Sequence, residues 1–384
     1  MTPLTRLAGF ATIATLSLTA CSQATTSTTA ADPGVAKVVN TALVQLKGQV
    51  LSKGPHGETP SPASSAKLTD ADIAKVKTMH LKAAIVLHYG GNDWANAQVA
   101  GLKSEFGVLG IKIVAVTDAE FKPDKQVSDL QTVMARKPDI VVSIPTDPVA
   151  TASAYKSVAR AGVKLVFMDN VPKGMTAGKD YVSVVSADNY GNGVTSAYLM
   201  AKALGGKGEI GLIHHEADFF VTKQRYDGFK TTLTQKFPKI KIIEDKGIAG
   251  PDFAGDAQAA AGAMLSQHPT LNGIWAVWDV PAEGVMAAAR AAGRTDLKIA
   301  TEDLGKNVAI ALAKNQLVVG LGAQVPFDQG TTEAKLAAGA VLGKKEPAYV
   351  ALSSLAVTHE NVLDAWKQVY HAPVPADLQS SFVK

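Results

Sequence analysis

The side chains with the clearest chemistry in this chain stand just after short apolar runs. The run ends read His88-Tyr89-Gly90-Gly91-Asn92-Asp93-Trp94, Pro145-Thr146-Asp147, Asp169-Asn170, His214-His215-Glu216, Trp278-Asp279, Glu302-Asp303 and Gln324. Amides, carboxylates and flat rings are what a hydroxyl-rich ligand needs. A carboxylate accepts two hydroxyl protons at once, so Asp169 and Asp303 each suit a vicinal diol through charge-assisted hydrogen bonds. Trp94 and Trp278 offer flat faces to the C–H side of a sugar or polyol. His88, Asn92, Asn170, Asp279 and Gln324 stand at the same kind of run end and are further expected ligand contacts. Other chemistries find no support. Adjacent His214 and His215 point to opposite faces of a strand and no third ligand follows at helical spacing, so no metal is expected. The Leu204 to Gly208 stretch lacks the spacing of a phosphate loop or dinucleotide fingerprint, and there is no Gly-x-Ser-x-Gly elbow. No cofactor and no catalytic residue is assigned.

The elements that must position these groups follow from hydrophobic patterning. From Lys82 onward, apolar runs alternate with longer amphipathic stretches: Ala83 to Leu87, Ile111 to Val116, Ile140 to Ile144, Leu165 to Met168, Val182 to Val185, Ile210 to Ile213, Ile240 to Ile243 and Gly273 to Val277. Continuous apolar strands of this kind suit a parallel sheet covered on both faces. The segment Asp124 to Lys137 places Val127, Leu130, Val133 and Met134 on one helical face. Thr146-Asp147-Pro148 reads as a helix cap with proline at the first turn, and Gly162 as the glycine that ends that helix. The predicted class is α/β with open parallel sheets, in which ligands bind beyond the carboxyl ends of the strands.

The chain begins with Arg6 and an apolar run from Leu7 to Ala20, about 14 residues, too short to span a bilayer but right for a signal-peptide core. The run ends in Leu18-Thr19-Ala20-Cys21, which resembles the bacterial lipobox, with Cys21 as the lipidated residue. Residues 1–20 are therefore expected to be removed and the rest to be tethered outside the cytoplasm, on the periplasmic side or the outer cell surface. Cys21 is the only cysteine. Once lipidated it leaves no thiol for a disulfide or a metal. Residues 21–80 read as a lipidated linker that carries a helix at Val35 to Leu51, broken by the Gly- and Pro-rich stretch Lys53 to Ser65. The net charge of +4 comes from scattered Lys and Arg without a basic run, so no nucleic-acid partner is expected.

Over residues 81 to 360 the chain resembles the ribose-binding-protein branch of the periplasmic sugar-binding proteins. The resemblance is carried by ordered fragments: Ile144-Pro145-Thr146-Asp147, Met168-Asp169, Ser186-Ala187-Asp188-Asn189, Arg225-Tyr226-Asp227-Gly228-Phe229, His268-Pro269, Asp303 and Gln324 through Gly330. It implies two doubly wound α/β lobes joined by three crossovers, the first formed by 81–187 plus 325–352 and the second by 188–324 plus 353–384. It also implies that the family's first binding loop falls on Asn92 and Trp94, its Asp-Arg pair on Asp169-Asn170, and its sugar-binding Arg on Arg225. Its second-lobe Phe falls on Phe253, its Asn-Asp pair on Trp278-Asp279, its later Asp on Asp303 and its hinge-side Gln on Gln324. The function so implied is a monomeric receptor that delivers a small neutral sugar or polyol to the membrane permease subunits of an ABC importer. The alternatives are a sensor that presents ligand to a membrane kinase or chemoreceptor, and a carbohydrate-active enzyme using Asp169 and Asp303. A transcription regulator of the same fold is disfavoured, because residues 1–80 hold an export signal and linker where a DNA-binding module belongs.

Overall fold

The computed structural model describes residues 33–384, so the signal run, the Leu18 to Cys21 motif and its lipidation site lie outside the described residues. Two six-stranded sheets organise the rest. The first contains β1 (Lys82–Leu87), β2 (Lys112–Asp118), β3 (Ile140–Ser143), β4 (Lys164–Met168), β5 (Ser183–Ala187) and β11 (Tyr349–Leu352), in the order β11-β5-β4-β3-β1-β2. The second contains β6 (Gly208–His215), β7 (Ile240–Ile248), β8 (Gly273–Ala276), β9 (Lys298–Glu302), β10 (Val318–Ala323) and β12 (Leu355–Val357), in the order β12-β10-β9-β8-β6-β7. All pairings are parallel except β10 with β12. The chain passes between sheets three times, after β5, after β10 and after β11.

The apolar runs explain the sheets. β3 and β8 are buried at every position and β1 at all but its first, because helices cover both faces. Helices Asp93–Val108 and Pro326–Val341 pack closely on one another, with the Gly101 Cα hydrogen side against the Phe327 carbonyl, where a Cβ would come within 2.1 Å of that oxygen. Helices Asn189–Ala203 and Phe220–Lys236 meet in the same way, with Gly193 facing the Arg225 carbonyl. In each sheet the strand order reverses beside its first strand, between β1 and β3 and between β6 and β8. At such switch points the loops leave in opposite directions and open a crevice.

Two sequence expectations shift. The first helix runs Pro33–Leu46 rather than to Leu51, because Gly48 adopts φ +78, a left-handed conformation that ends a helix. The helix expected to open at Thr146-Asp147-Pro148 begins at Ala152. Asp147 Oδ1 instead accepts from the Val149 and Ala150 amides, each at 2.7 Å, closing a local turn ahead of the helix. No helix among the described residues is long and apolar enough to cross a membrane.

Candidate functional site

The carboxyl ends of both sheets face one cavity of about 60 Å³. From the first sheet come His88, Tyr89, Asn92 and Trp94 after β1, Phe121 after β2, Ile144 after β3 and Asp169 after β4. The second supplies His215 at the end of β6, Trp278 and Asp279 after β8, Asp303 after β9 and Gln324 after β10. Helix Phe220–Lys236 adds Val221, Thr222 and Arg225, with Phe219 just before it.

Asp169 and Asp303 occupy equivalent places, each the first residue after its strand and each in the left-handed region, at φ 55 and φ 65. That conformation costs an ordinary residue about 1 to 2 kcal/mol and is tolerated best by Gly, Asn and Asp. At both positions it turns the carboxylate off the sheet and into the cavity. Asp169 Oδ1 accepts from the Ser186 hydroxyl at 2.6 Å. Burial pushes its pKa up to about 6, against the opposing pull of that hydrogen bond and of Arg225. Asp303 is gripped by both terminal nitrogens of Arg225, at 2.9 and 3.3 Å. Arg225 also donates to the Asn189 carboxamide at 3.0 Å and to the Val277 carbonyl at 3.1 Å. A guanidinium held at four points is a fixed fork rather than a mobile charge. Asp279 opens helix Asp279–Ala291, and burial, with Asp303 and Glu283 close by, raises its pKa well above the usual carboxylate range.

The remaining wall is aromatic and crosses the gap between sheets. His88 stacks on Phe219 with ring centroids 5.7 Å apart, and Phe121 meets Phe219 at 5.9 Å and Phe253 at 5.2 Å. His215 meets Trp278 edge-on at 5.7 Å. Both histidines are held neutral: burial lowers His88 to about 3 and His215 to about 4. The loops also touch directly through the Lys306 amide, which donates to Asp93 at 2.7 Å. The two lobes are thus closed on each other.

Of the residues expected from sequence, His88, Asn92, Trp94, Asp169, Arg225, Trp278, Asp279, Asp303 and Gln324 line the cavity. Asn92 also caps its helix, its carboxamide oxygen accepting from the Ala95 amide at 2.8 Å. Phe253 and Asn170 do not line it. Phe253 is buried among the rings of the wall, its centroid 4.9 Å from Trp278, 5.2 Å from Phe121 and 5.4 Å from His215. Asn170 turns its amide back towards the Pro145 carbonyl at 3.5 Å. Adjacent His214 and His215 do point to opposite faces, His214 pairing with Asp245 at 2.9 Å outside the cavity. Among the described residues there is no cluster of His, Cys, Asp and Glu able to hold a metal ion. Phe121, Ile144, Val221 and Thr222 escaped the sequence reading. Phe121 was accessible to it, because it closes the polar stretch that follows β2, and the strand-end rule applies there as it does elsewhere.

Residues 83–345 match a family model described as a periplasmic binding protein domain. The chain is 26% identical over 245 residues to the ribose import binding protein of Bacillus subtilis (strain 168), covering 64% of this chain and 76% of that protein. Among solved structures it is similar to an ABC sugar transporter subunit from Rhodobacter sphaeroides 2.4.1, with 27% identity and a TM-score of 0.65 over 73% of this chain and 99% of that one. It is also similar to an ABC transporter solute-binding protein from Agrobacterium vitis with bound allitol, with 25% identity and a TM-score of 0.67 over 75% and 98%. The family match spans every loop that reaches the cavity, from His88 to Gln324, and the chain belongs to the periplasmic binding protein family.

Proposed function

We propose that this chain is an extracytoplasmic receptor, anchored through Cys21, that captures a small neutral sugar or polyol between two lobes and presents it to the permease subunits of an ABC importer. The lobes divide as 81–187 with 325–352 and 188–324 with 353–384, and the receptor acts as a monomer. One observation carries the reading: Asp169 from one sheet and the Asp303–Arg225 pair from the other meet at a single ring-walled cavity. A ligand that bridges them favours closure, since each lobe alone offers half of the contacts. Hydroxyl groups fit the lining because they donate and accept. Asp169 seeks donors, whereas the Trp94 indole N–H and Gln324 Oε1, both buried without a partner in the protein, seek an acceptor and a donor respectively. Left unmade, each such bond costs about 1 to 3 kcal/mol. A ring-walled cavity of about 60 Å³ suits a small ligand rather than an oligosaccharide. The ribose named for the Bacillus relative and the allitol bound by the Agrobacterium one fall in this class.

The test is a thermal-shift screen of the purified mature protein against pentoses, hexoses and polyols, with the mixture analysed afterwards for turnover. A true ligand at one hundred times its dissociation constant adds about 2.7 kcal/mol to stability. A flat screen, or conversion of the ligand into product, overturns the reading.

A further inference from the structure

Residues 33–61 precede the family match, which begins at residue 83. They do not hang free. Helix Pro33–Leu46 lies on helix Asn189–Ala203 of the second lobe, with Val39 fully buried beside Ala197, Met200 and Ala201. Lys202 ties it further, donating to Asn40 at 3.1 Å. Beyond that helix the chain reaches the first crossover between lobes. There the Leu51 amide donates to Asp188 Oδ2, and the Ser52 amide and hydroxyl both donate to Asp188 Oδ1, each at 2.8 Å. The Ser52 hydroxyl in turn accepts from the Tyr190 amide at 3.0 Å. Gln224, on the second lobe, donates to the Lys53 carbonyl at 2.9 Å. The segment then leaves for the first lobe, where Ser61 exchanges backbone hydrogen bonds with Tyr349 and Ala351 on edge strand β11.

Asp188 is itself a hinge residue. Its amide donates to the Leu352 carbonyl of the third crossover at 2.7 Å, and its carboxylate caps helix Asn189–Ala203 through the Gly191 amide at 2.9 Å. Asp188 and Ser52 are both 1% exposed, so these bonds form away from solvent. Buried donors on a carboxylate are the strong kind of hydrogen bond.

We infer that residues 33–61 form a strap that makes a fourth connection between the lobes, pinned at the hinge by Ser52, and that it favours the closed form. In the closed arrangement seen here the strap makes its bonds to both lobes at once. Any of them strained or lost on opening biases the equilibrium towards closure and so towards tighter ligand binding. Ser52 is an affinity-setting residue that does not touch the cavity.

The test compares the full mature chain with Ser52→Ala, and with Gln224→Ala as a milder cut of the same strap. Spin labels at exposed positions 103 and 236, one per lobe, report the interlobe distance in ligand-free protein. The strap predicts a shift of population towards longer distances in both variants, larger for Ser52→Ala, with Ser52→Thr near the parent because it keeps the hydroxyl. Where a ligand is in hand, its dissociation constant should rise about threefold to tenfold, the effect of one or two such bonds. Unchanged distance distributions in well-folded Ser52→Ala and Gln224→Ala proteins overturn the inference, as does a shift towards closure. The distance measurement needs no ligand, so a failure of the sugar reading leaves this result interpretable.

Discussion

Asp169→Asn separates what the cavity needs for binding from what it costs in stability. In the folded protein Asp169 is 1% exposed, and burial raises its pKa from 3.8 to about 6. Because the folded-state value is the higher one, the folded protein binds this proton more tightly than the unfolded chain does. Below about pH 3 both states are protonated and the shift has no effect. As pH rises from 4 to 6 the unfolded chain loses its proton first, and by pH 7 the ionised carboxylate costs the folded state about 2 to 3 kcal/mol at 1.36 kcal/mol per unit. Asparagine is close in shape to the protonated acid and keeps an oxygen for the Ser186 hydroxyl. The variant should therefore be more stable than the parent at pH 7, by up to that amount, and the gap should shrink to about a fifth of it at pH 4. Urea unfolding at pH 4, 5, 6 and 7 measures the difference directly. At pH 7 the same substitution should weaken ligand binding at least tenfold, about 1.4 kcal/mol, because the amide replaces one of two charged acceptor oxygens with a donor while the other is taken by Ser186. A variant less stable at pH 7, or a stability gap that does not vary with pH, refutes the burial argument. Unchanged affinity removes Asp169 from the binding site.

The ligand's dissociation constant should rise as pH falls through about 6, when Asp169 takes up its proton, and Asp169→Asn should flatten that dependence; a profile unchanged in the variant would assign the titration elsewhere. His88 and His215 should stay neutral at pH 5, readable as ring-carbon shifts by NMR, since burial holds them near 3 and 4. Arg225→Met should abolish binding and cost about 3 to 5 kcal/mol in urea unfolding by leaving Asp303 buried and unpaired, whereas Asp303→Asn combined with Arg225→Met should recover part of that loss. Phe253→Ala should cost about 3 to 5 kcal/mol by opening a void among the Phe121, His215 and Trp278 rings, while Asn170→Ala should change affinity less than Asp169→Asn does.

Much of the site was legible because the rule that finds it is local. A run such as Leu165 to Met168 declares a buried parallel strand by composition, and the next residue, Asp169, is at the carboxyl end wherever the strand sits. The same step found His88, Trp278 and Asp303. It overlooked Phe121, although β2 ends only three residues earlier. Arg225 and Phe253 lie on helices, where the strand-end rule says nothing, and they came from family resemblance alone. The resemblance placed both, yet could not say that one lines the cavity and the other is buried among the rings around it. Which face of a helix meets the ligand depends on the packing of the next helix, which no spacing within the segment records.

By itself, the sequence determined the α/β class and the strand ends that carry the chemistry, because each depends on residues within a few positions of one another. Tertiary structure alone decided that Asp169 faces Arg225 and Asp303 across one cavity, that Asn170 turns away to Pro145, and that Ser52 reaches Asp188 across 136 positions of chain. Contacts of that kind form only when segments distant in sequence pack together, which no local pattern records.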